Sequence, residues 1–220
     1  MANLIIKSSA DNLVLQGSDA SPAITVGATG TTTFAENATL SGTANNVGTV
    51  TAGTFNSVIG TSATGFGLFT HASQWRLHTG YTHTGELAIT SNLEAVDTNN
   101  PGTVGAAMTE SSGIFTFPAT GIWYISFQGY LRSTSGAVAY GEIYIDITAN
   151  NSSYTRASTS ITAGHTTNAY MGAFTAFIFD VTDTSNCKVK FLTGFPATCQ
   201  INGSTDNLMT GFTFLRLGDT

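Results

Sequence analysis

Residues 110–131 read ESSGIFTFPATGIWYISFQGYL. The segment Pro118-Ala119-Thr120-Gly121 is a turn signal between two apolar runs. After it the text alternates with a period of two, as a strand requires. Trp123, Ile125, Phe127 and Leu131 fall on one face and Ile122, Tyr124, Ser126, Gln128 and Tyr130 on the other. The first set reads as core, with Phe115 before the turn joining it. The second set mixes tyrosines with small polar residues, so that face is neither plain core nor plain solvent surface.

Outward from this stretch the same period recurs. The pattern predicts strands at 85–89, 106–108, 113–117, 121–130, 138–149, 154–161, 168–181, 188–192, 199–201 and 209–217. Asn99-Asn100-Pro101-Gly102, Asn150-Asn151, Thr193-Gly194 and Asn202-Gly203 supply the turns. In 138–149, Ile143, Ile145 and Ile147 face one way and Tyr140, Glu142, Tyr144 and Asp146 the other. In 168–181 both faces are apolar: Met171, Phe177 and Phe179 oppose Tyr170, Phe174 and Ile178. A strand apolar on both sides is buried on both sides, and in a two-layer sandwich the second face needs a partner, of which another subunit is the simplest. No segment carries a helical period. The expected class is all-β, a sandwich or jelly roll.

Composition narrows the function. Only 9% of the 220 residues are charged and the formal net charge is −6, so the basic footprint of a nucleic-acid binder is missing. Twenty-three aromatic residues exclude a wholly disordered chain. The text has neither a signal-peptide pattern at Met1–Gly17 nor an apolar run of membrane-spanning length. The expectation is synthesis in a cytoplasm, no membrane partner, and later exposure on a particle. Cys187 and Cys199 would not lie opposite each other in a hairpin built on residues 187–202; two free thiols are expected, a disulfide being the alternative.

Residues 1–70 differ from residues 71–220. They hold four charged residues (Lys7, Asp11, Asp19, Glu36) and no Trp or Tyr. Short apolar clusters, among them Leu13, Val14 and Leu15, Ile24 and Val26, Phe34, and Leu40, are spaced by Gly and Asn at irregular intervals. One such chain alone buries too little apolar area to offset backbone ordering at roughly 1–2 kcal/mol per residue. Residues 1–70 are therefore expected to form an extended, β-rich attachment arm and 71–220 a head domain.

Residues 110–131 resemble the signature segment of the tumour-necrosis-factor and complement globular-head superfamily: Phe115, then Gly121, then Trp123, Ile125 and Phe127 at alternate positions. Met209-Thr210-Gly211-Phe212 is similar to that superfamily's closing strand, which puts Phe212 in the core. Trp123 and Ile125 depart from the usual Tyr and Phe but stay apolar. The resemblance covers about residues 85–218. It implies a ten-stranded jelly roll assembling as a homotrimer, with Tyr124, Tyr130, Tyr144, Tyr170 and Phe174 as candidates for the threefold interface. The text of residues 38–67 resembles the low-complexity β-repeats of bacteriophage tail fibres and other virion surface proteins.

No catalytic pattern emerges. His78 and His83 do not form the His-x-His pair of a metal-binding jelly roll, and all four histidines read as surface loop residues. Glu142 and Asp146, four residues apart on one strand face, are roughly 13 Å apart, wider than the 5–9.5 Å of paired glycosidase carboxylates. No cofactor or metal is expected. The expected function is that of a non-enzymatic phage virion component: a trimeric capsid decoration (cement) protein held by its arm to the major capsid protein. The alternative is a tail-fibre tip that recognises a host-surface glycan.

Overall fold

The computed structural model describes the strands Leu13–Gln16, Pro22–Val26 and Thr32–Phe34 and the whole of residues 69–220. The chain divides into two compact units, Met1–Val58 and Ile59–Thr220. In the first, β1 (Leu13–Gln16), β2 (Pro22–Val26) and β3 (Thr32–Phe34) form an antiparallel sheet in that order. Leu13 stands opposite Val26, Leu15 opposite Ile24, and Ile24 opposite Phe34, while Val14 pairs with Thr25. Of the expected arm residues, Leu40 lies outside the described residues.

The second unit is entirely β among the described residues. Its strands are β4 (Ala72–Leu77), β5 (Tyr81–Ala88), β6 (Leu93–Ala95), β7 (Thr109–Ser111), β8 (Ile114–Thr116), β9 (Gly121–Ser133), β10 (Val138–Thr148), β11 (Thr155–Gly164), β12 (Tyr170–Val181), β13 (Lys188–Ile201) and β14 (Gly211–Gly218). One layer runs β6-β4-β14-β9-β12 and the other β11-β10-β13, with β5 and β8 end to end on the far edge of β13. The layers meet at a corner, where Cys199–Ile201 of β13 pair with Leu131–Ser133 of β9.

The core between the layers is aromatic. Phe191 stacks on Phe212 at 4.2 Å, Phe127 lies 5.0 Å from Phe212, and Phe115 sits 5.2 Å from Phe214. Phe115, Trp123, Ile125, Phe127 and Phe212 are each at most 1% exposed. They come from β8, β9 and β14, so the period-two reading of 110–131 joins both layers. The Gly121 that opens β9 is required by its conformation. Its φ is +135°, and a Cβ there would lie 2.6 Å from the Arg216 Nε and against the Gly218 carbonyl.

Three sequence expectations are corrected. Residues 106–108 are not a strand, whereas β4 and β6, unread in the sequence, are. The segments 188–192 and 199–201 are not two strands about a Thr193-Gly194 turn but parts of the 14-residue β13. Gly194 sits there for close approach: a Cβ would fall 2.6 Å from the Tyr144 hydroxyl of the neighbouring strand. Cys187 therefore sits just before β13 and Cys199 near its far end, past the irregularity that follows Phe195, and both are buried free thiols.

His83 is likewise no loop residue. It lies in β5 with its Nε2 2.7 Å from Thr193 Oγ1 and its ring 4.7 Å from Phe195. Burial lowers its pKa below the ordinary 6.5, against the opposing pull of the Thr84 and Gly85 backbone. The folded chain therefore takes up this proton less readily than the unfolded one. The stability tied to neutral His83 is full above about pH 6.5 and is lost as pH falls from there towards the depressed folded value. Melting temperature is expected to fall more steeply between about pH 7.5 and 5.5 in the native chain than in His83→Gln. Equal slopes would show that His83 titrates as freely folded as unfolded.

Candidate assembly interface

The outer face of the β6-β4-β14-β9-β12 layer is where the second apolar set of 110–131 and of 168–181 comes together. The register of β9 and β12 puts Tyr124 opposite Ile178, Gln128 opposite Phe174, Tyr130 opposite Gly172 and Arg132 opposite Tyr170. Tyr170 (60% exposed), Phe174 (57%) and Ile178 (59%) stand in a row along β12, a third of the nine large apolar side chains exposed in the described residues. Single exposed apolar residues are ordinary; a row of them backed by tyrosines is a contiguous apolar patch, the kind of surface that marks an interaction site. Gly172 and Ala176 alternate with the three large residues, and the space above Gly172 is open. The result is a ridge of bulky side chains separated by dimples, a shape able to interlock with another apolar surface.

The ridge has firm support. Its other side carries Met171, Ala173, Thr175 and Phe179, all buried. The Tyr130 and Tyr170 rings stack in parallel at 5.4 Å with 8° between planes. Gln128 donates to the carbonyls of Leu208 and Met209 at 2.7 and 3.0 Å. Gln74 donates to Thr213 Oγ1 at 3.1 Å, tying β4 to β14 on the same face. The two glutamines of the face are thus bonded within the chain, while its ridge of apolar side chains is uncovered.

Four of the five interface candidates from the sequence, Tyr124, Tyr130, Tyr170 and Phe174, share this face. Tyr144 does not join them. It lies on β10 in the opposite layer, 5% exposed, with the Arg156 guanidinium carbon 3.5 Å from its ring centroid. Its hydroxyl donates to the Glu142 carboxylate, and burial is the first cause that drives its pKa up. Arg156 in turn forms two hydrogen bonds to Glu86, 3.0 and 2.7 Å, and one of 3.2 Å to Asp146. The Arg156 hydrogen bond holds Glu86 below the usual carboxylate range. Alternation alone shows that Tyr144 faces away from the isoleucine core; it cannot say that a long side chain from β11 closes over it.

The arginines reveal a feature the sequence did not signal. Arg76, 1% exposed, donates to Glu94 (2.7 Å), Asp97 (2.6 Å) and Thr98 (2.6 Å). Arg216 pairs with Asp219 and Arg156 with Glu86 and Asp146. Arg132, on the same outer face as Tyr130 and the Tyr170 ridge, pairs with no carboxylate among the described residues. One of its terminal nitrogens donates to Asn168 Oδ1 at 2.6 Å, its guanidinium lies 5.5 Å from the Tyr170 ring centroid, and its Nε is buried without an acceptor.

No protein-family model matches the chain, and no curated protein does. Solved structures do. Murine APRIL at pH 8.5 aligns over 67% of this chain and 98% of its own, with 12% identity and a TM-score of 0.49. The Eiger TNF structure from S. frugiperda aligns over 68% of this chain and 93% of its own, with 10% identity and a TM-score of 0.51. With its two all-β layers and the Eiger superposition, the second unit has the fold of a TNF-like jelly roll.

Proposed function

We propose that this chain is a non-enzymatic structural protein that assembles as a homotrimer through the β9–β12 face and serves as a virion component, decorating a phage capsid through its N-terminal unit. The observation that carries the assembly reading is the ridge of Tyr170, Phe174 and Ile178 on a face whose two glutamines, Gln74 and Gln128, are already bonded within the chain. Sister chains are the occupant this surface fits: bulky residues alternate with Gly172 and Ala176, so one patch offers both projections and recesses. The virion reading draws on the charge-poor, Gly- and Thr-rich text before residue 70 and on the in-register apolar positions of β1, β2 and β3. Such a sheet suits attachment along a larger surface, with the major capsid protein as partner.

Phe174→Asp tests the assembly. Its side chain is exposed in the single chain, so the change is expected to alter intrinsic stability by about 0.5 kcal/mol or less, yet it sets three carboxylates into an apolar contact. Native mass spectrometry is expected to show trimer for the native chain and monomer for the variant. A monomeric native chain would refute the assembly. Copy number in purified particles tests the placement: hundreds of copies fit decoration, a few dozen fit a tail-fibre tip with its glycan-binding alternative, and absence from particles refutes the virion role.

A further inference from the structure

The loop that follows β6 and the loop that precedes β14 meet at the β4–β6 edge of their layer and frame a cavity of about 280 Å³. Its deeper wall is Gln74, Arg76, Val96 and Leu208, and its exposed rim is residues 99–102 with Asn207. The cavity lies three strands from the β12 ridge, roughly 14 Å at about 4.8 Å per strand, so it is a separate surface. Its walls are fixed. Asn99 and Asn100 hold consecutive left-handed conformations, with φ of 63° and 55°, which side-chain-bearing residues keep only where their surroundings impose them. The bonds that impose them cross between the two loops. Thr98 Oγ1 donates to the carbonyls of Thr205 and Asp206 at 3.2 and 3.4 Å, and Asn99 Nδ2 donates to the Asp206 carbonyl at 2.6 Å. Arg76 donates to the same Thr98 Oγ1 at 2.6 Å from the deeper wall.

Carboxamides are what these bonds leave free. The side chains of Asn100 and Asn207 make no hydrogen bond among the described residues, and Gln74, whose Nε2 is spent on Thr213, keeps its carbonyl oxygen open. Each free carboxamide offers both donors and an acceptor, and Val96 and Leu208 set apolar surface between them. Charge, by contrast, is already committed. Arg76 is the only charged residue lining the cavity, and its guanidinium is bonded to Glu94 and Asp97. With Asp206 beside Asn207, three carboxylates stand around one cation, a balance that repels an anion. The ligand that fits is neutral, rich in hydroxyls and about one ring in size, since the volume falls just below the roughly 300–1,000 Å³ of ordinary small-molecule sites. We propose that this cavity binds a single hexose-class ring of a saccharide. Loops already held in place spare the cost of ordering them on binding. The inference depends neither on the trimeric assembly nor on a place in a virion.

Ligand-observed NMR on the full chain tests this, with glucose, galactose, mannose and N-acetylglucosamine as probes. The proteins compared are the native chain, Asn207→Ala, Asn100→Gly and Asn151→Gly. Asn207→Ala removes a side chain bonded to nothing in the fold, and Asn100→Gly keeps the left-handed backbone while removing the carboxamide. Asn151→Gly makes the same change at another exposed left-handed position, in the turn after β10. At least one of the four sugars is expected to bind saturably, with a Kd in the millimolar range. Asn207→Ala and Asn100→Gly are each expected to weaken it about 10-fold, the loss of one well-made hydrogen bond, and Asn151→Gly to leave it unchanged. The proposal is overturned if none of the sugars binds, if binding survives both cavity variants, or if Asn151→Gly weakens it as much as they do. Putrescine, a dication without hydroxyls, binding in preference to every sugar would also overturn it, by making the site one for cations. A chain found to be monomeric would overturn the assembly reading and leave this result standing.

Discussion

Replacing Trp123 by Ala is expected to destabilise the jelly roll by about 3–5 kcal/mol, the usual loss when a large aromatic leaves a packed core. Trp123 is 1% exposed. Its ring centroid lies 5.3 Å from that of Phe117 and 5.8 Å from that of His71, and its indole N–H donates to the Ala119 carbonyl at 3.1 Å. The side chain thus packs β9 against the start of β4 and closes the turn that precedes it. Alanine leaves a void between layers built from long strands, which collapse poorly, and leaves the Ala119 carbonyl without that donor. Trp123→Phe keeps much of the packing and is expected to lose less. Urea unfolding measures both, with a lowered midpoint at unchanged slope as the signature of a pure stability change. A loss below about 1 kcal/mol for Trp123→Ala would contradict its place in the core.

The second large effect concerns Arg76. Removing both of its carboxylates, by Glu94→Ala with Asp97→Ala, leaves a guanidinium 1% exposed with no counter-charge. A loss of about 3–5 kcal/mol is expected, since an orphaned buried charge is more harmful than an absent ion pair. The two carboxylates are unequal. Glu94 is 30% exposed and Asp97 73%, so water already screens Asp97, and Glu94→Ala alone is expected to be the worse single change. Arg76→Met keeps volume and strands only carboxylates that reach solvent, so it is expected to be milder than the double variant. Thermal unfolding of the four proteins gives the ranking; Arg76→Met as the most damaging would mean that the arginine's hydrogen bonds, rather than charge compensation, dominate.

The sequence was readable where one face was buried and the other was not. Trp123, Ile125, Phe127 and Leu131 alternate without interruption, and all four are buried. The ridge was also legible, because apolar residues on both faces of 168–181 exceed what one layer contact can cover. Legibility failed where burial comes from something other than apolar side chains. In β4 the buried residues include Ser73 and Arg76, and a buried arginine has no sequence signature when its carboxylates lie 18 and 21 residues away. In β5 most residues are exposed and Gly85 has a φ of +80°, so its alternation is broken. Gly194 misled for another reason: glycine marks turns and close approaches alike, and only the position of Tyr144 separates them.

The place of β14 has a consequence for synthesis. It lies between β9 and β4, so the partner of a strand near residue 72 is one near residue 215, across a separation of 139 residues at Gln74 and Thr213. While the chain emerges from the ribosome, the first strand of the jelly roll can pair with β6 on one edge, but its other edge has no neighbour until nearly all of the chain has been translated. Such long-range pairing slows folding and keeps the aromatic interior uncovered meanwhile. Nascent chains are therefore expected to stay sensitive to protease until Gly211–Gly218 clears the exit tunnel.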